Sequence, residues 1–403
     1  MDVGNIAELN TFLVLDAVRS RRQVTRRQLA VELGLSDASV SRIVQRLLAA
    51  ELIEELPGDG SRRGRTPTVL RFLGPPGCVI AVDLGGTRCH GTLADMAGTT
   101  VAEDFRPSGE GRRAAHALLE CIAELRSRAT ARAMPVRAIV VGIPALIDPG
   151  SGLATAGPSV HWRGFDLLEM LAANLAEPFE VDNDVNLNAL GQAWRGAGRG
   201  SHSFVTMSLG TGVGGAVVVD GHLISGRHNA AGEVGYLPVG GRRPGSAEPG
   251  AGFEEVASGP ALRRRAAELI ERGQRTCLVG DFGVADIFAA AACGDRVGRR
   301  VVGELVAHVT AAIVGSTALI DPERIILDGS VGRALEPWLP EICVAVAERV
   351  FRAPEIVISG LGPNATVIGA IARALAMVAE LDAPKRWPRE PGAGSARRRG
   401  GPA

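Results

Sequence analysis

Along the first fifty positions the apolar residues recur at helical spacing and not in alternation, so the chain opens with helices. Phe12, Leu13, Leu15 and Val18 mark a first amphipathic helix within 10–18. Thr25-Arg26-Arg27-Gln28 has the form of a capping box, in which the threonine hydroxyl accepts from an orphan N–H and the glutamine reaches back. Leu29, Val31 and Leu33 supply the apolar residues of this second helix, and Gly34 offers a left-handed stop. Ser36 caps a third helix, whose Val40, Ile43, Val44, Leu47 and Leu48 share one face. The opposite face carries Arg42, Gln45 and Arg46, with Ser39 and Ser41 at its margins. Two short helices joined at Gly34–Ser36 meet the demand of a helix-turn-helix, whose second helix must enter a groove about 12 Å wide. Leu52 to Glu55 and Val69 to Phe72 then predict two strands around a turn rich in glycine and arginine, a wing whose Arg63 and Arg65 would lie beside the DNA backbone or minor groove. Gly74-Pro75-Pro76-Gly77 interrupts any regular element and marks a boundary.

Beyond that boundary the pattern changes to short buried-strand runs punctuated by glycine turns. Cys78 to Val82 ends in Asp83-Leu84-Gly85-Gly86-Thr87, and Gly91 to Asp95 continues as a second strand. Glycines there let backbone N–H groups approach a phosphate closely. A similar strand, turn and strand recurs at Phe204 to Val219 through Gly210-Thr211-Gly212, which suggests an internal duplication around a nucleotide; both turns also suit plain tight hairpins. Between them Ala138 to Ile143 forms a strand, followed by Phe179 to Asn186. In Asp182-Asn183-Asp184, Asn183 is able to bond sugar hydroxyls and Asp184 to take a hydroxyl proton in phosphoryl transfer. The same residues also read as an Asx-rich helix cap, since Leu187, Leu190 and Trp194 continue helically.

Composition narrows the class. With 403 residues, 46% hydrophobic and 22% charged, the chain has the length of two or three packed units. Six cysteines without a close pair signal neither a disulfide framework nor a zinc knuckle. No signal peptide or membrane-spanning run is read, so the expected compartment is the cytoplasm, with no membrane partner. Net charge is zero, yet 19–46 and 384–403 each carry an excess of five positive charges. The first excess lies on the helical pattern that would meet DNA.

These residues together resemble the ROK family of repressors and sugar kinases, specifically its winged-helix transcriptional regulators, from about Asn10 to Ala376. The resemblance implies an α/β fold: a winged helix-turn-helix followed by a two-lobed, actin-like (RNase-H-like, duplicated) sugar-kinase domain. Asp83, Gly85, Gly86 and Thr87 match its first phosphate turn, and Gly210, Thr211 and Gly212 its second. Asn183, Asp184, Glu233 and Glu254 match its sugar ligands, with Asp184 as base in family kinases. Tyr236 stands where the family commonly has histidine, and Gly245, Ala247 and Gly252 stand at its zinc-binding cysteines, so zinc is not expected. Asp328 replaces part of a Gly-Gly turn beside adenosine and would set a carboxylate against a nucleotide.

The expected organisation is a DNA-binding domain over 1–75, a sugar-binding domain over 76–383 and a disordered basic tail over 384–403. The expected function is a sugar-responsive repressor that binds operator DNA as a homodimer or higher oligomer, with a sugar or sugar-phosphate effector and no required cofactor. Paired heads about 34 Å apart would read a palindrome. The alternative is an ATP- and magnesium-dependent sugar kinase with an appended DNA-binding domain, in which Asp184 is catalytic. A third class is a protein-binding module without DNA contact.

Overall fold

The computed structural model describes residues 14–15, 17–19, 21, 23–49, 52–58, 68–73, 77–109, 111–147, 154–155, 166–239 and 252–382. Arg63, Arg65, the positions 245 and 247, and the tail from 384 lie outside them.

In the N-terminal unit, helix α1 (Arg26–Leu33) starts at the capping box: Thr25 Oγ1 accepts from the Gln28 N–H, while the Thr25 N–H donates to Gln28 Oε1 at 2.8 Å. It stops at Gly34, whose φ of 63° is the left-handed conformation that glycine adopts without strain. Helix α2 (Asp37–Ala49) is capped by Ser36, which accepts from the Ser39 N–H at 3.2 Å. Strands β1 (Ile53–Pro57) and β2 (Thr68–Phe72) pair antiparallel as the wing. Leu29, Val40, Ile43, Val44, Leu47, Ile53 and Leu70 close one small core. Val31 is not part of it: it is 79% exposed, while Leu29 and Ala30 of the same helix are buried.

Among the described residues beyond the head lie two five-stranded sheets of the same topology. The first runs β5-β4-β3-β6-β9, from β3 (Cys78–Leu84), β4 (Arg88–Asp95), β5 (Thr100–Pro107), β6 (Val136–Ile143) and β9 (Phe179–Asn183). Two short strands, β7 (Leu146–Ile147) and β8 (Ala154–Thr155), pair beside it. The second runs β12-β11-β10-β13-β14, from β10 (Phe204–Leu209), β11 (Val213–Val219), β12 (His222–Leu223), β13 (Arg324–Asp328) and β14 (Glu355–Ile358). In each, three strands form an antiparallel meander and two more add in parallel to the first strand. The duplication anticipated from the glycine turns is thus a duplication of whole sheets.

Strand alternation separates each sheet into an outer and an inner face. Ile80, Val82 and Leu84 of β3 face outward onto α3 (Arg112–Thr130), while Val79 and Ala81 face inward. Val205, Met207 and Leu209 of β10 face an outer layer that includes α9 (Arg296–Ile320), and Phe204 faces inward. Helix α9 is long and apolar enough to cross a membrane, but its Val301, Leu305, Val309 and Ile313 are buried in the core of the second lobe.

Two helices fill the space between the sheets. Helix α5 (Asp184–Arg195) lays Ala189 against Phe204, Ala216, Val218 and Ile326 of the second sheet. Helix α12 (Ala365–Asp382) lays Val367, Ala370, Ile371 and Ala374 against the first. They meet at glycines: a Cβ on Gly369 would stand 1.6 Å from the Leu187 carbonyl oxygen, and one on Gly191 2.3 Å from that of Ala365. Only a hydrogen at these positions lets the backbones approach so closely.

Candidate functional site

The site grows from the end of β9. Asn183 leaves the strand in an extended conformation and becomes the N-cap of α5, its Oδ1 accepting from the Val185 N–H at 2.9 Å and the Asn186 N–H at 3.4 Å. The helix-cap reading of this segment is therefore correct. Asp182 is turned toward Asn186, whose amide donates to its Oδ1 at 3.1 Å. Capping holds Asp184 in the first helical turn, close to Asp83 of the first lobe and Glu233 of the second.

Four acids expected from the sequence converge there. Asp184 is pushed up to about 8, first by burial and then by the neighbouring Asp83 charge, against the opposing Val185 N–H, with Glu233 adding to the rise. Asp83, at the end of β3, is raised to about 6 by burial, which Arg88 partly offsets. Glu233 is raised by burial and by Glu254. Asp182 behind them is also raised to about 6, mainly by burial. Carboxyls so placed favour neutral, hydroxyl-bearing ligands, with a protonated Asp184 able to donate a hydrogen bond.

Both glycine turns lie where the sequence put them, but their amides are partly engaged. The Gly85 N–H donates to the Arg88 carbonyl at 2.9 Å and the Gly210 N–H to that of Gly212 at 2.8 Å. Glu254 occupies the second turn: its Oε2 accepts from the Val213 N–H at 2.8 Å and stands 2.8 Å from where a Cβ on Gly212 would sit. A phosphate oxygen seeking the Val213 amide would meet this carboxylate. Thr87 and Thr211 are exposed at the two turns, and Tyr236 is exposed beyond Glu233. No cluster of His, Cys, Asp or Glu suited to a metal ion occurs among the described residues.

Asp328 requires a correction. The expectation was a carboxylate presented to a nucleotide; the side chain is instead 1% exposed and turned into the protein. Asn188 of α5 donates to its Oδ2 at 2.7 Å, and Arg333 and the Gly329 N–H donate to its Oδ1 at 2.8 and 2.7 Å. A buried carboxylate is tolerated because these donors surround it, and its charge is answered by Arg333 before any ligand arrives. The electrostatic argument against ATP at this position therefore lapses.

Other residues of the site escaped the sequence reading. Gln192 donates to Ser359 Oγ at 2.7 Å and to Asn188 Oδ1 at 3.2 Å, so α5 is pinned by two side chains to the ends of β13 and β14. Asp184, Asn188 and Gln192 are spaced by four, one stripe of the helix. Glu180, in β9, receives both a 2.7 Å bond from Arg373 Nε and one of the same length from its Nη2, which ties the site strand to α12. Thr366 of α12 donates to the Asp184 carbonyl at 3.2 Å. A polar i, i+4, i+8 stripe at Asp184, Asn188 and Gln192 was the available signal for the first set; no local signal exists for the Glu180–Arg373 pair.

At the other end of the molecule, α2 buries Val40, Ile43, Val44 and Leu47 and exposes Ser41, Arg42, Gln45 and Arg46, with Ser39 half-buried. The wing lies beside it: Arg26 of α1 pairs with Glu55 of β1, which fixes the helix pair against the hairpin.

A duplicated sheet with helices between its copies, and an acid close to acids of both lobes, defines the class of two-lobed sugar-kinase-like proteins, here carrying a winged-helix head. The chain belongs to the ROK family, whose profile matches residues 79–377, and the MarR family profile matches residues 8–64. A glucokinase of Halalkalibacterium halodurans is 30% identical over 306 residues, covering 72% of this chain and 92% of its own. The xylose repressor of Caldicellulosiruptor bescii is 24% identical over 91% of this chain and 95% of its own, and the transcriptional dual regulator NagC of Escherichia coli is 26% identical over 92% and 94%. Among solved structures, a ROK family transcriptional regulator described as a homologue of the E. coli MLC protein superposes with a TM-score of 0.77 at 26% identity, over 94% of this chain and 98% of its own. A ROK hexokinase from Thermus thermophilus superposes at 0.63 and 25% identity over 75% of this chain and 99% of its own.

Proposed function

We propose that this protein is a sugar-responsive transcriptional regulator, a repressor, acting in the cytoplasm as a homodimer or higher oligomer. The observation that carries the reading is the pairing, in one chain, of an exposed Ser41-Arg42-Gln45-Arg46 helix face with the gathered acids Asp83, Asp184, Glu233 and Glu254. The repressor relatives match across both parts, whereas the glucokinase match covers about the length of the C-terminal part alone. Asn183, Asp184, Glu233 and Glu254 are assigned to the sugar, with the Asp184 carboxyl as hydrogen-bond donor. Asn183 serves through its amide nitrogen, which donates weakly to the Ala145 carbonyl at 3.4 Å, since its oxygen caps the helix. Arg42 and Arg46 are assigned to phosphates or guanine edges, and Gln45 with Ser39 and Ser41 to neighbouring bases. Arg63 and Arg65 are assigned to the flanking backbone.

Sugar binding changes the operator affinity to the extent that it favours one arrangement of the lobes over another. Fluorescence anisotropy of the full chain on a duplex from upstream of its own gene, titrated with xylose, glucose and N-acetylglucosamine, tests this. The expected result is a salt-sensitive specific complex whose affinity shifts with one of them. A complex absent at every salt concentration, with Arg42→Ala as control, would refute DNA recognition and favour a protein-binding module.

The glucokinase relative supports a kinase as the second reading. Two observations weigh against it: Glu254 sits in the second phosphate turn, and an Asp184 held near 8 leaves about one molecule in ten ionised at pH 7. A coupled assay with ATP, magnesium and the same sugars decides; turnover abolished by Asp184→Asn would overturn the regulator without catalysis.

A further inference from the structure

We infer that Phe72 is the joint through which occupancy of the cleft reaches the DNA-binding head; this rests on the regulator reading above. Phe72 is the last residue of wing strand β2 and belongs to two cores at once. On one side it packs with the head, against the cluster of Val24, Leu29, Ile53 and Leu70. On the other it packs against the layer between the sheets, the cluster that includes Val79, Ala81, Val367 and Ile371.

That second cluster joins strands of the first sheet to α12 and, through Leu187, to α5, the helix that opens with the candidate acid. Asp184 opens α5; Leu187 of the same helix belongs to this cluster, and Leu190 and Trp194 pack against it. Helix α12 in turn grips the site at three points: Thr366 donates to the Asp184 carbonyl, Gly369 lies against the Leu187 carbonyl, and Arg373 clamps Glu180. On its polar stripe α5 is fastened to the second lobe through Asn188 and Gln192. Close-packed interiors shift between discrete arrangements and do not deform continuously. A ligand that draws Asp184 toward the second lobe therefore moves α5 and α12 together, and the ring of Phe72 rides on them. Since Phe72 also closes the wing, paired with Ile53 in the hairpin, the movement re-aims the wing and α2.

The claim is a coupling, so it is tested as one. The full chain and its Phe72→Ala and Phe72→Leu variants are measured for operator affinity with and without the panel sugar that binds, and for sugar affinity by calorimetry. For wild type the sugar is expected to change operator Kd about tenfold, equal to about 1.4 kcal/mol of coupling. In Phe72→Ala this ratio is expected to fall to within about twofold, while both separate affinities stay within about threefold; Phe72→Leu is expected to keep most of the ratio. A Phe72→Ala variant that folds and retains the full ratio would overturn the joint and leave the regulator reading intact. A wild-type ratio of one with every sugar would instead sink the regulator reading, and the joint with it. Should both variants fail to fold, hydrogen exchange on the wild type decides. Sugar is expected to change the protection of the 69–72 amides, and a change confined to the cleft would refute the joint.

Discussion

Arg373→Ala removes one partner of the most deeply buried ion pair among those described. Glu180 is 2% exposed and Arg373 13%, and two hydrogen bonds of 2.7 Å join them. Deleting the guanidinium leaves a buried carboxylate without its partner in the layer between the sheets. Breaking a buried pair in this way costs about 3–5 kcal/mol. In urea, with a slope of about 3 kcal/mol per molar, the midpoint of the C-terminal unit falls by about 1–2 M. Replacing both residues, as Glu180→Leu with Arg373→Met, removes the charge with its partner and is expected to recover stability to within about 1 kcal/mol of wild type. The cycle separates the pair from the packing around it. A loss below about 1 kcal/mol for Arg373→Ala, or a double variant as unstable as the sum of the singles, would refute the reasoning, because the first denies the burial and the second denies the pairing.

Further outcomes follow from other residues. Gly369→Ala sets a methyl group against the Leu187 carbonyl, 1.6 Å away without adjustment; the helices must part, and a loss of about 1–3 kcal/mol in urea unfolding is expected, with less than about 0.5 contradicting the close contact. Asp184 has a folded pKa of about 8, raised above its unfolded value, so its share of stability is complete at acid pH and disappears as pH rises through about 8. Asp184→Asn should therefore gain on wild type between pH 5 and pH 8 and hold that gain above it; parallel stability curves would contradict the shift. Arg42→Ala should weaken operator binding by about 1–3 kcal/mol and flatten its salt dependence, read by anisotropy across a salt series.

Much of this molecule was legible because local rules and the fold agree. Thr25–Gln28, Gly34 and Ser36 announced both helices of the head, and the apolar face of α2 is the face that is buried. The glycine turns located the hairpins, since a sharp strand reversal needs glycine whatever else it does. Acids at the ends of strands pointed to the cleft. What was hidden depends on partners distant in sequence. Nothing near Asp328 shows that Asn188 and Arg333 will neutralise it, so the carboxylate read as exposed to a ligand. Nothing near Glu180 names Arg373 as its partner, 193 positions away. Val31 fitted an apolar pattern that lacks the resolution to separate a buried edge from an exposed one in a helix of eight residues. The tilt of Glu254 into the second turn likewise follows from its packing beside Gly235 and Gly212, and changes what that turn can accept.

The central claim is that a sugar in the cleft governs DNA binding by the head. Its most direct measurement is the operator affinity of the full chain, by anisotropy at fixed salt, with and without each sugar of the panel and repeated with Asp184→Ala. The account predicts a specific complex whose affinity changes several-fold with one sugar, and a response that Asp184→Ala weakens without altering the affinity in the absence of sugar. A specific complex indifferent to every sugar, or one whose sugar response is untouched by Asp184→Ala, would contradict it.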